Sequence, residues 1–146
     1  MANDEQKPSV LGKSLELRHG DLAVVDKDFA LIHDRDNFLQ ALQVMIETPM
    51  GSDIFNVSYG FDLLNSISAP QSISFIKDLI RLNIVKSLSL DDRVREIKEI
   101  AFSEISPEFE PEETRRLRKR DRWQAVVVLQ TITEGDVALS LQGRGL

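Results

Sequence analysis

The chain contains no cysteine. That one absence excludes disulfides, thiolate nucleophiles and cysteine-based metal centres together, and it suits a reducing interior. Only two histidines occur in 146 residues, so any acid–base chemistry would have to rest on carboxylates. No apolar run approaches the roughly 18 residues of a membrane span. Residues 1–9 are polar and lack an apolar core, so no secretory signal is expected. No G-x-G-x-x-G, no P-loop and no G-x-S-x-G occurs, which removes the common nucleotide-binding and hydrolase signatures. A basic excess is also missing. The formal net charge is -6, and this argues against nucleic acid as the main partner, because phosphate neutralisation needs a basic face.

What is present suffices for one folded domain. Hydrophobic residues make up 42% of the chain, enough for a core at this length. Residues 1–10 read as a flexible N-terminal tail and 143–146 as a flexible C-terminal tail, with a single domain over 11–142. Leu22–Val25 and Phe29–Ile32 are short strand candidates, with Asp26-Lys27-Asp28 as the hairpin loop between them. Asp34 or Asp36 offers an N-cap to a first helix. Its stripe is Phe38, Leu42, Met45 and Ile46, with Leu39 on the flank. Thr48-Pro49 ends it, since a residue before proline is pushed out of the α region.

A second helix is expected from Pro70, placed in its first turn. Ile73, Ile76, Ile80 and Ile84 form its stripe, and Phe75, Leu79 and Leu82 widen it, as for a helix buried on more than one side. Ser87 to Asp92 breaks the pattern. Arg95 to Ile105 reads as a strand in which Ile97 and Ile100 are out of phase, consistent with a bulge. Trp123 to Thr133 is the strongest strand signal, apolar on both faces as a central strand should be. Glu134-Gly135-Asp136 turns the chain. Val137, Leu139 and Leu141 then alternate with Ala138, Ser140 and Gln142 in a half-buried partner strand. This order predicts an α+β fold: two main helices packed on a mostly antiparallel sheet.

Chemistry-bearing residues are sparse. His33 lies in "HDRD", but adjacent residues rarely converge on one ion, and a polar helix entry explains the run better. Glu47 and Asp53 could be nominated as a glycosidase acid pair. A chain with 24 acids will always supply such a pair, and Asp53 fits a role in capping or turning the loop better. Residues 106–121 change from acidic to basic and read as a charged insertion. Arg115–Arg122 follow Glu108, Glu110, Glu112 and Glu113, and the pattern fits a solvated, self-paired helix better than a nucleic-acid face. No aromatic interleaves the basic residues to stack on bases.

The connection "ETPMGSDIFNVSYGFDLL", residues 47–64, is long and rich in apolar residues. Such connections are uncommon unless they do a job. With "VLGKSL" at 10–15, "GDLAVV" at 20–25, "NFLQALQVMIETPMG" at 37–51 and "FNVSYGFDL" at 55–63, the chain resembles the lysozyme-like baseplate wedge family of contractile phage tails and related injection systems. That family is also called the sheath-initiator family. Its Gln-Ala-Leu helix, Thr-Pro-x-Gly turn and aromatic-Gly pair match Gln40-Ala41-Leu42, Thr48-Pro49-Met50-Gly51 and Tyr59-Gly60. The resemblance covers about residues 10–105 and extends to the last two strands. Two places depart from it: Ser52-Asp53 stands where many members carry Glu-Arg, and Asp91-Asp92-Arg93 stands where they carry Glu-Pro-Arg.

The resemblance implies a non-enzymatic structural protein with no cofactor and no metal. Its domain would resemble the inner domain of a tail sheath subunit. It would link the baseplate wedge to the sheath and template the first sheath ring by β-strand augmentation. Implied partners are the sheath protein and the baseplate wedge proteins, with tail tube or hub proteins as further candidates. Six copies would surround the tail axis. Neither nucleic acid nor membrane is expected as a partner. Assembly would occur in the bacterial cytoplasm, and the protein would end in the baseplate of a phage tail or phage-tail-like particle. Asp91, Asp92 and Arg93 are the wedge-contact candidates. Trp123, Val126, Val128, Gln130, Val137, Leu139 and Leu141 are the sheath-contact strand candidates. Pro49, Gly51, Tyr59 and Gly60 form the structural turn, with Phe55, Tyr59 and Phe61 anchoring an extended crossing to the core. The competing readings are a peptidoglycan-cleaving enzyme, as the family's older label suggests, and an adaptor or chaperone domain with another partner.

Overall fold

The computed structural model describes residues 9–62, 72–103, 122–133 and 135–144. The fold is α+β, with two helices and several antiparallel sheets among the described residues. The chain divides into two compact units, Met1–Gln43 and Val44–Leu146.

The first unit is built from six very short strands: β1 (Lys13–Leu15), β2 (Leu17–Arg18), β3 (Asp21–Leu22), β4 (Val24–Val25), β5 (Asp28–Phe29) and β6 (Leu31–His33). They pair as three separate antiparallel ladders, β1 with β6, β2 with β3 and β4 with β5. Three main-chain hydrogen bonds close a ring where the ladders meet. Glu16 N–H donates to Ala30 C=O at 2.8 Å, Ala30 N–H to Ala23 C=O at 2.9 Å, and Ala23 N–H to Glu16 C=O at 2.9 Å. Each ladder is too short to hold alone; the ring makes them one structure.

Both hairpin tips are two-residue turns. His19 and Gly20 have φ of 54° and 85°, and Asp26 and Lys27 have 51° and 69°. Two positive φ values in a row suit the twist of a tight hairpin. The second loop is therefore Asp26-Lys27, and Asp28 belongs to the strand, where it pairs with Val25. β1 and β2 escape the sequence reading.

Helix α1 (Asp34–Glu47) buries Phe38, Leu42, Met45 and Ile46 and half-buries Leu39, the stripe expected from its spacing. Its first half clamps the strands of its own unit. Asn37 Nδ2 donates to the Leu11 carbonyl at 2.7 Å. Gln40 bonds as a strand residue would: its Oε1 accepts from Leu17 N–H at 2.8 Å, and its Nε2 donates to Leu15 C=O at 2.9 Å.

In the second unit, α2 (Ile73–Leu88) is capped by Ser72, whose hydroxyl accepts from Phe75 N–H. The helix thus begins after the expected start; Pro70 itself lies outside the described residues. Ile80, Ile84 and Leu88 are fully buried, whereas Phe75 and Leu82 are exposed. One face is buried, not several, and the helix runs through Ser87 to Leu88.

Strands β7 (Val94–Phe102), β8 (Arg122–Thr131) and β9 (Asp136–Arg144) form a three-stranded antiparallel sheet with β8 in the centre. One face is buried through Trp123, Ala125, Val127 and Leu129 of β8 and Val137, Leu139 and Leu141 of β9. The expected irregularity in β7 is present as register shifts between Val94 and Glu96 and between Ile97 and Glu99. β9 continues through Gly143 and Arg144, so these two residues belong to the sheet and not to a tail. The charged insertion at 106–121 lies outside the described residues.

Candidate functional site

Two features of the second unit can receive a partner. The first is the free side of the sheet. β8 is paired on both flanks, so Trp123, Val126, Val128 and Gln130 have no open main-chain edge to offer. Trp123 is instead a core residue, with its ring 5.9 Å from that of Phe61 and 6.4 Å from that of Phe102. Val137, Leu139 and Leu141 are on an outer strand, with their side chains buried on the inner face.

The two outer strands are unlike. β7 has its two register shifts and carries Arg95, Glu96, Lys98 and Glu99, all exposed. Bulges and charges are the usual means of keeping an edge from pairing. β9 has neither. Its register against β8 is unbroken from Arg122↔Arg144 to Gln130↔Asp136. From Val137 to Gln142 it contains no charge and no proline. Among the described residues no strand covers its far side.

The second feature is an open depression of about 520 Å³ lined by Met45, Asn56, Ser58, Tyr59, Leu90 and the segment Asp91–Arg93. α2 ends at Leu88, and the chain then turns: Val94 N–H donates to the Asp91 carbonyl at 2.9 Å, leaving Asp92 and Arg93 as the central residues. A proline after the first residue would favour such a turn. Here the Asp91 carboxylate does comparable work. Oδ1 accepts from Arg93 N–H at 3.0 Å and from its Nε at 2.9 Å, and Oδ2 accepts from Nη2 at 2.6 Å. This is a two-pronged guanidinium–carboxylate pair, the most directional kind.

Burial alone would push the Asp91 carboxyl up, but the hydrogen bonds and charge of Arg93 outweigh it and hold the group below the ordinary aspartate value. Arg93 is raised in turn, chiefly by its hydrogen bond to Asp91. Tyr59 is also raised, first by burial and then by the negative charges of Asp91 and Asp53. The three wedge-contact candidates thus share one turn, but Asp92 alone is exposed there; Asp91 and Arg93 are partly buried and joined to each other.

Of the turn residues, Tyr59 lines this depression. Phe61 N–H donates to Thr48 C=O at 2.8 Å and Met50 N–H to Phe61 C=O at 3.1 Å, which joins Pro49 and Phe61 in a parallel bridge. The buried hydroxyl of Ser87 donates to the Gly60 carbonyl at 2.9 Å. Phe61 is buried and Tyr59 half-buried. Phe55 does not anchor the crossing: it is 94% exposed, and Ile54 and Val57 beside it are exposed as well. Asp53 explains why. Its Oδ1 accepts from Phe55 N–H at 2.8 Å and Asn56 N–H at 3.3 Å, folding the loop into an Asx turn that points away from the core. The carboxylate nominated for catalysis is a loop cap, and Glu47 is exposed at the end of α1. Among the described residues no group of three His, Asp or Glu side chains is placed to hold a metal ion.

The exposure of Ile54, Phe55 and Val57 was missed by the sequence reading, although the turn-capping role expected of Asp53 is the one it has. No known family profile, characterised protein or solved structure matches the chain.

Proposed function

We propose that the protein is a non-enzymatic assembly component whose working surface is the β9 edge. A partner strand laid there extends the sheet by main-chain hydrogen bonds. Nine residues of β9 give a contact about 30 Å long at roughly 3.4 Å per residue. Val137, Leu139 and Leu141 set the chemistry of the incoming strand: apolar side chains at every second position, to prolong the buried layer. The observation that carries this reading is the contrast between the outer strands. β7 has bulges and charges, and β9 is regular and uncharged over its middle.

The resemblance to sheath initiators supplies the identity of the partner in this proposal. The incoming strand belongs to the first ring of sheath subunits of a contractile tail or injection system, and the turn Asp91–Arg93 faces the baseplate wedge. The net charge of -6 helps to hold the free protein soluble until it assembles. Electron microscopy of particles assembled without this chain tests the reading. Baseplates and tubes that lack sheath are expected. Fully sheathed, contractile particles would refute it.

A further inference from the structure

The junction of three ladders places an unusual set of side chains on one face. Glu16, Ala23 and Ala30 form the hydrogen-bonded ring. Side chains alternate along an extended chain, so the residues flanking each ring member point to the opposite face from it. These flanking residues are Leu15 and Leu17, Leu22 and Val24, Phe29 and Leu31. They also face each other across the ladders: Leu17 pairs with Leu22, Val24 with Phe29, and Leu15 with Leu31. Directly opposed residues share a face. The six side chains therefore close a second, outer ring, and every one of them is apolar.

Burial agrees with this assignment. Ala23 is buried and Glu16 and Ala30 are half-buried, whereas all six outer-ring residues are exposed, from 38% at Leu17 to 61% at Val24. The charged residues next in line follow the alternation to the other face: Arg18 pairs with Asp21, and Asp28 with Val25. The outer ring is thus an apolar surface on the order of 500 Å², in the upper part of the range for the largest apolar patch on a monomer, and Lys13, paired with His33, borders it on the same face.

We propose that this face binds a second copy of the same chain. The proposal is independent of the β9 reading, since it concerns other residues in the other unit. Two such faces together remove about 1,000 Å² from water, the lower limit for specific association. Each copy carries a net charge of -6, and an ordinary surface would repel its like. The six residues carry no charge, so the contact opposes no like charges directly. An area at this lower limit predicts a weak dimer, strengthened when salt screens the long-range repulsion.

Sedimentation velocity of the full chain from about 5 to 500 μM tests this. The expected result is a monomer at the low end and a dimer at the high end, with more dimer at 0.5 M salt, roughly a 4 Å screening length. Val24→Ser and Phe29→Ser should each weaken association at least tenfold without lowering Tm, because both side chains are exposed. Phe55→Ser, at a more exposed apolar residue in the other unit, should leave it unchanged. A monomer at every concentration would overturn the proposal. So would a dimer that survives Phe29→Ser, as pairing of β9 edges would, or one that Phe55→Ser abolishes.

Discussion

Replacing Gly60 by alanine should be among the most damaging single changes in the second unit. Gly60 has φ of 108°, a region that costs a side-chain-bearing residue roughly 1–3 kcal/mol. Space is the larger problem. A Cβ there would stand 2.4 Å from the Thr48 carbonyl oxygen and 3.0 Å from Met50 N and Pro49 C. These are backbone atoms and cannot swing aside as a side-chain tip can. The two strands of the crossing must separate, and the bonds between Phe61 and residues Thr48 and Met50 lengthen or break. The buried bond from Ser87 to the Gly60 carbonyl loosens with them. At about 1 kcal/mol per net hydrogen bond, the expected loss is about 3–5 kcal/mol, a large share of the about 5–15 kcal/mol that holds a domain together. Gly51→Ala is the matched control. Its φ is 81°, but nothing lies within 4 Å of the added carbon, so the cost should be about 1–2 kcal/mol, the conformational part alone. Urea denaturation of the full chain, followed by Trp123 fluorescence, measures both. Equal losses for the two variants would refute the steric reasoning.

Asp91→Asn should remove a pH-dependent share of stability. The folded carboxyl is held below its ordinary value by Arg93, so its contribution is fully present above about pH 4 and is lost as pH falls further through the depressed folded value. The variant should be less stable by about 1–2 kcal/mol at neutral pH and lack that loss in an acid titration of Tm. The Trp123 indole N–H is buried with no hydrogen-bond acceptor among the described residues. Trp123→Phe should therefore change stability by less than about 1 kcal/mol, because the lost ring area is offset by removal of an unsatisfied donor. Trp123→Ala should cost about 3–5 kcal/mol, and chemical denaturation followed by circular dichroism separates the two. Gln40→Ala should free Leu15 C=O and Leu17 N–H. Hydrogen exchange at Leu17 should quicken by about fivefold, as for roughly 1 kcal/mol of protection, with Val127 in β8 unchanged.

Legibility in the sequence followed the length of each element and the side its apolar residues face. β9 was plain from the alternation of Val137, Leu139 and Leu141, whose side chains are buried. The stripe on α1 was equally plain, and the bulges of β7 showed as the phase error of Ile97 and Ile100. Two- and three-residue ladders are too short to show a period, so β1 and β2 escaped notice. Their apolar residues also face outward, which inverts the usual meaning of alternation. On α2, Phe75 and Leu82 suggested a wider buried face than exists, because an exposed apolar residue leaves no mark in a sequence. Ser72 is the N-cap of that helix, which the expectation built on Pro70 did not identify. At the candidate sites, the Asp91–Arg93 motif was visible, but the ion pair that turns two of its three residues toward each other needs coordinates. So does the openness of an edge: residue types can show that β9 is a strand, not that it is the last in its sheet.

The hydrogen-bonded ring of Glu16, Ala23 and Ala30 has a consequence for chain length. Its members are seven residues apart, and the hub requires only that each arm leave and return in register. An arm lengthened by one residue would turn its side chains to the wrong face. An arm lengthened by two, one on each side of the tip, would keep both the hub and the orientation of everything beyond it. The hairpins ending at His19-Gly20 and Asp26-Lys27 can thus be extended independently in steps of two residues. They are natural points at which to graft a foreign loop or a spectroscopic label while the rest of the unit stays as it is.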